Sequence, residues 1–120
     1  MKHHILLVDD TDAFLHILTH VLKSDYELSI AKSGKDGIET AIKQKPDLIL
    51  LDIMMPGMSG YEALAALKDH PETRHVPVIL TSGKTSEEEV AAGIALGAAD
   101  YIKKPFVMTE VKEKVAAQLV

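Results

Sequence analysis

Apolar residues along this chain fall into five short runs, and each run is followed by an amphipathic stretch. The runs His4–Val8, Glu27–Ala31, Asp47–Leu51, Val78–Thr81 and Tyr101–Ile102 predict strands. The first, third and fourth are apolar along most of their length, the pattern of strands covered on both faces. A helix is predicted after each. Asp12–Lys23 carries Phe14, Ile17, Leu18, Val21 and Leu22 at helical spacing, with Thr11 placed to cap it. Lys35–Gln44 turns Ile38, Ala41 and Ile42 inward and stops just before Pro46. Ser59–Asp69 opens on a Ser59/Glu62 capping-box spacing and faces Leu64 and Leu67 to the core. The fourth helix opens at Thr85/Glu88 or Ser86/Glu89 and runs to about Leu96, and the glutamates of its first turn suit the helix dipole. Val107–Leu119 sets Met108, Val111, Val115 and Leu119 on one stripe.

Strand alternating with helix implies a parallel sheet with helices on both faces. At 120 residues the expectation is one α/β domain spanning 1–120. Its five strands would be doubly wound in the common order 2-1-3-4-5, a flavodoxin-like (βα)5 arrangement. In that order strands 1 and 3 are neighbours and the winding reverses between them. Ligands bind outside the carboxyl ends of strands at such a switch point.

Composition narrows the chemistry. The chain has no cysteine, which excludes disulfides, cysteine-based zinc sites and thiol catalysis. A formal net charge of −5 argues against non-specific binding to nucleic acid or to an anionic membrane. No apolar stretch approaches the length of a membrane span. The first apolar run is too short for a signal peptide and ends in two aspartates, so a cytoplasmic location is expected. The chain stops where the fifth helix should end, as either a complete single-domain protein or a domain cut from a longer one would.

Four of the runs end on residues able to handle a phosphoryl group. Ile5–Val8 leads into Asp9 and Asp10, and Leu48–Leu51 into Asp52. Val78–Leu80 leads into Thr81 and Ser82, and Tyr101–Ile102 into Lys103, Lys104 and Pro105. On parallel strands these ends share one edge of the sheet. Carboxylates gathered there repel one another, and a bound divalent cation removes the conflict. All-oxygen ligands favour Mg2+ over zinc, and Mg2+ also accepts phosphate oxygens. Asp52, alone at the end of the middle strand, is the candidate nucleophile for an aspartyl-phosphate. Asp9 and Asp10 are candidate metal ligands. Lys104 would bring a positive charge, and Ser82 a hydroxyl, to phosphate oxygens. Taken singly, an aspartate at a strand end is more often a helix cap and a lysine before proline a solvated loop residue. Their joint placement at four strand ends outweighs that reading.

These residues resemble the receiver domain of two-component response regulators. The resemblance spans the chain and is carried by Leu7-Val8-Asp9-Asp10, by Pro46-Asp47 through Asp52-Ile53-Met54-Met55-Pro56-Gly57 to Ser59-Gly60, by Pro77 through Thr81-Ser82-Gly83, and by Gly97 through Lys103-Lys104-Pro105-Phe106. It implies that Asp52 is the phosphoacceptor. It also implies that Asp9, Asp10 and the backbone carbonyl of Met54 hold Mg2+ together with Asp52. Ser82, five residues after Pro77 and before Gly83, would be the switch hydroxyl, with Thr81 a strand residue. Lys104 would contact the phosphate, Lys103 would not, the Lys104–Pro105 bond would be cis, and Tyr101 would be the switch aromatic.

The implied function is Mg2+-dependent transfer of a phosphoryl group from a phosphohistidine to Asp52, followed by hydrolysis. The chain would act on itself alone rather than as an enzyme on other substrates. Phosphorylation would draw Ser82 inward, let Tyr101 follow, and reshape the surface of the fourth helix, fifth strand and fifth helix to control an output domain or partner. The implied donor is a sensor histidine kinase or phosphotransfer protein. Direct contact with nucleic acid or membrane is not expected, and homodimerisation on phosphorylation is left open.

Three rivals weigh less. A phosphatase with an aspartate nucleophile would show Asp-x-Asp after its first strand, whereas Asp52 is followed by Ile53-Met54. A flavin-binding electron carrier would need a Ser/Thr/Gly-rich phosphate loop where this chain has Asp9-Asp10. A pure interaction module with this fold would need no phosphorylation at all. His16 and His20 have metal-binding spacing on the first helix but fall opposite its apolar stripe, as a solvated face would. Met54, Met55 and Met58 are expected to pack the loop after Asp52.

Overall fold

All five predicted strands form, in a computed structural model that describes residues 2–83 and 86–119. The elements are β1 His4–Val8, α1 Asp12–Leu22, β2 Glu27–Ala31, α2 Gly34–Gln44, β3 Leu48–Asp52, α3 Gly60–Asp69, β4 Val78–Ser82, α4 Glu87–Ala95, β5 Asp100–Lys103 and α5 Met108–Gln118. The sheet is parallel throughout, in the expected order β2-β1-β3-β4-β5. Among the described residues no helix is long and apolar enough to cross a membrane.

Side-chain alternation along the strands builds two cores, one on each face. Leu6, Val8, Ile49, Leu51, Leu80 and Tyr101 point to the side covered by α2, α3 and α4. Ile5, Leu7, Leu48, Leu50, Ile79 and Ile102 point to α1 and α5. Because both faces are covered, the inner strands are buried along their length, which is why they read as unbroken apolar runs.

The boundaries differ from expectation in instructive places. β3 begins at Leu48 and takes in Asp52. Asp47 stands outside it, where its carboxylate accepts a 2.8 Å hydrogen bond from the His4 amide. β4 extends through Ser82 and β5 runs from Asp100 to Lys103. On α1, Leu15 is buried with Leu18, Val21 and Leu22, whereas Ile17 is 40% exposed. Met108 is half-exposed, because the first turn of α5 projects past the buried stretch around Val111 and Val115. Of the methionines after Asp52, Met55 is buried and Met58 packs partly against the core, but Met54 is exposed.

Caps follow the same logic. Ser59 and Glu62 form the predicted reciprocal capping box on α3, through bonds of 3.2 Å each way. Ser86 caps α4 through the Glu89 amide, while Thr85 lies outside the described residues. Thr11 occupies the N-cap position of α1, but its hydroxyl caps nothing. The Asp9 carboxylate takes the Thr11 amide instead, at 2.9 Å, turning the chain from β1 into α1.

Two glycines allow close approach. A Cβ on Gly60 would strike the Asp52 carbonyl and lie 2.5 Å from Ile53 Cα, so only glycine lets α3 start hard against the end of β3. A Cβ on Gly93 would come 2.6 Å from Leu80, so α4 lies directly on β4 at the cost of an interior helical glycine.

Candidate functional site

The carboxyl ends of β1, β3 and β5 deliver the site. Asp52 closes β3 and is 2% exposed. Asp9 follows β1, its amide held 3.1 Å from the Ala31 carbonyl and its side chain fully covered. Lys104, just past β5, projects between them: its Nζ lies 2.9 Å from Asp9 Oδ2 and 3.1 Å from Asp52 Oδ1. The Met54 amide also donates to Asp52 Oδ1, at 3.3 Å. Lys103 points to solvent, and the Lys104–Pro105 peptide bond is cis.

One oxygen each from Asp9, Asp10 and Asp52 fall within 4.8 Å of one another, and no other acidic or histidine cluster of this kind occurs among the described residues. Asp10 is exposed, so the trio opens to solvent on its side. Three carboxylates facing one ammonium leave two negative charges uncompensated. Burial, reinforced by the Asp9 charge, pushes the Asp52 carboxyl above its ordinary range, and Lys104 and the Met54 amide oppose the rise. A hard divalent cation fits such a donor set in charge and in ligand type. His16 and His20 are both exposed and take no part.

Register separates the two hydroxyls of β4. Thr81 pairs with Asp52 and stands on the α1/α5 side, while Ser82 faces the other side with Tyr101. Tyr101 is buried, and Ser82 and Tyr61 both lie near enough to its phenol to act on its pKa. The Tyr61 hydroxyl also donates to the Glu89 carbonyl of α4, at 3.3 Å. Burial raises the pKa of the Tyr101 phenol, the Tyr61 and Glu89 charges act in the same sense, and the bond with Ser82 opposes. Ser82, Tyr101 and Tyr61 thus lie next to one another, and Tyr61 ties this group to α4. Beside it, Val90, Asp100, Tyr101, Lys103, Glu110 and Lys114 line a groove between α4, β5 and α5.

Sequence patterning missed two residues here. Phe14 reads as a core position on α1, yet its ring lies under the Lys104 ammonium, 4.0 Å from centroid to Nζ. The signal was its place one helical turn after Asp10. Tyr61 has no local signal for contact with Glu89, which is 28 positions away.

Comparison with known proteins agrees with this geometry. The profile of the response regulator receiver domain family matches residues 5–116. A probable cyclic di-GMP phosphodiesterase of Vibrio cholerae is 40% identical over 115 residues, covering 96% of this chain and 26% of that protein. Protein PilH of Pseudomonas aeruginosa is 39% identical over 102 residues and 84% of each chain. Among solved structures, the receiver domain of the sensor histidine kinase PA1611 from P. aeruginosa, with a magnesium ion coordinated in its active-site cleft, superposes with a TM-score of 0.90 at 25% identity over 98% of each chain. The fold and its acidic pocket define a doubly wound signalling module. The chain belongs to the response regulator receiver domain family of two-component systems. It spans about a quarter of the length of the first curated relatives it matches.

Proposed function

We propose that this domain accepts a phosphoryl group on Asp52 from a phosphohistidine of a sensor kinase or phosphotransfer protein. The observation that carries the proposal is that Lys104 Nζ lies within 3.1 Å of both Asp9 and Asp52 in a pocket where two negative charges remain unbalanced. Asp9, Asp10, Asp52 and the Met54 carbonyl would hold Mg2+, which when bound supplies charge neutralisation and a ligand site for phosphate oxygens.

The chain's own residues do the rest. Met54 and Lys104 fix Oδ1 of Asp52, which aims Oδ2 at phosphorus. A P–O bond forms as the P–N bond breaks, and the imidazole leaves with the electron pair. Lys104 stabilises the charge on the phosphoryl oxygens. Water later attacks the aspartyl-phosphate and returns free carboxylate and phosphate. The domain performs both steps only on itself.

The output follows from Ser82. A phosphoryl oxygen on Asp52 claims the Ser82 hydrogen and leaves Ser82 only an acceptor for Tyr101. Tyr101 is inward in this structure, so phosphorylation fixes an arrangement already reachable instead of first drawing the ring in. The surface of α4, β5 and α5 is what a partner or attached output domain would read. Intact-mass measurement after incubation with Mg2+ and a small acyl phosphate tests the proposal. One labile adduct, lost in Asp52→Asn, is expected. No adduct on the wild-type chain, or an adduct that survives the substitution, overturns it.

A further inference from the structure

We infer that Phe14 is a positioning residue for Lys104: its ring is a neutral platform that holds the ammonium at the phosphoryl-transfer site. The inference rests on the acceptor function proposed for Asp52. Among the described residues, Lys104 Nζ meets Asp9 at 2.9 Å, Asp52 at 3.1 Å and the centre of the Phe14 ring at 4.0 Å. The first two are anions that a divalent cation would claim. As their charge is neutralised, their hold on the lysine weakens, and the cation itself repels the ammonium. The face of Phe14 keeps its attraction, because the ring quadrupole is not consumed by a metal.

The ring is itself held in place. Phe106 packs edge-on against it, centroids 5.6 Å apart at 79°. Phe106 lies two residues beyond Lys104, so the segment Lys104-Pro105-Phe106 grips Phe14 with an ammonium on its face and a second ring beside it. Phe14 is the third residue of α1, four positions after Asp10, so the turn out of β1 and the start of the helix bring the carboxylates and the platform together. With only a tenth of its side chain exposed, Lys104 has little solvent to fall back on. A leucine at position 14 would fill similar volume but offer no negative face.

Two readouts test this on the full chain, with Phe14→Leu and Phe14→Tyr. The first is the proton shift of the Lys104 ε-methylene in the metal-free protein. Ring current above an aromatic face moves it upfield in the wild type. The shift should vanish in Phe14→Leu and persist in Phe14→Tyr. The second is the rate of phosphorylation by an acyl phosphate at saturating Mg2+. Phe14→Leu should slow it about fivefold, and Phe14→Tyr should restore it. An unshifted wild-type methylene, a wild-type rate in Phe14→Leu, or failure of Phe14→Tyr to restore both readouts overturns the inference. A wild-type chain that takes no phosphoryl group overturns the acceptor function instead, and the methylene shift still reports whether Phe14 holds Lys104.

Discussion

The ammonium of Lys104 bridges Asp9, 95 positions before it, and Asp52, lying 2.9 Å from the first carboxylate and 3.1 Å from the second. Without it both buried carboxylates lose their cation. Lys104→Met should cost the metal-free protein about 2 kcal/mol, because a nearly buried charge is left unpaired. Mg2+ should recover part of that loss by taking the lysine's place. Thermal melts with and without Mg2+ check this, and equal losses under both conditions would contradict it. The same substitution should slow phosphorylation about 100-fold, the usual scale for removing a positioned charge stabiliser.

Asp52 gives a pH dependence of determinate sign. Its folded pKa is raised above the ordinary 3.8, chiefly by burial. Between the ordinary and the raised value the folded state binds more protons than the unfolded chain, so stability falls as pH rises through that window. The full penalty is in place above it. In chelator at neutral pH, Asp52→Asn should therefore melt higher than wild type, and the gap should close as pH falls through the window. A lower melting point for Asp52→Asn at neutral pH would refute the sign.

Much of this site is legible in the sequence, and what is not has identifiable causes. The apolar runs mark strands because both sheet faces are covered, and the right order of strands puts Asp9 and Asp52 side by side. Helical spacing locates the inner side of α1 but not its rotation against α5. Leu15 and Ile17 border the stripe, and tertiary packing alone decides that the first is covered and the second exposed. Nor does periodicity report height along the sheet, so Phe14 reads as core although it stands at the edge that carries Lys104. Asp9 and Asp10 are identical neighbours, yet one is buried and the other exposed, because the turn into α1 consumes only Asp9.

Gly60 is a point where the fold serves the site directly. A methyl group there meets the Asp52 carbonyl and the Ile53 backbone, neither of which can move without shifting Asp52. Gly60→Ala should cost about 2 kcal/mol or more and slow phosphorylation as well. Denaturant titration and phosphorylation kinetics measure the two effects. A wild-type value for either would show that α3 can back away from β3 freely.

Helix α4 is expected to be the least protected of the five. Gly93 is its one buried residue, and the apolar side chains of Ile94 and Leu96 are 45% and 42% exposed. Amide hydrogen exchange should be faster across α4 than across the other helices. Tyr61→Phe removes the bond to the Glu89 carbonyl, worth about 1 kcal/mol, and should speed exchange further at α4 while leaving α1 unchanged. Slower exchange in α4 than elsewhere would rule out its role as the yielding element.

Reductive trapping after incubation with Mg2+ and an acyl phosphate addresses the acceptor most directly. Borohydride converts an aspartyl-phosphate to homoserine, and peptide sequencing by mass spectrometry then locates it. Homoserine at position 52 and nowhere else is the predicted result. Homoserine at Asp9 or Asp10, or none at all, would contradict an acceptor at the end of β3.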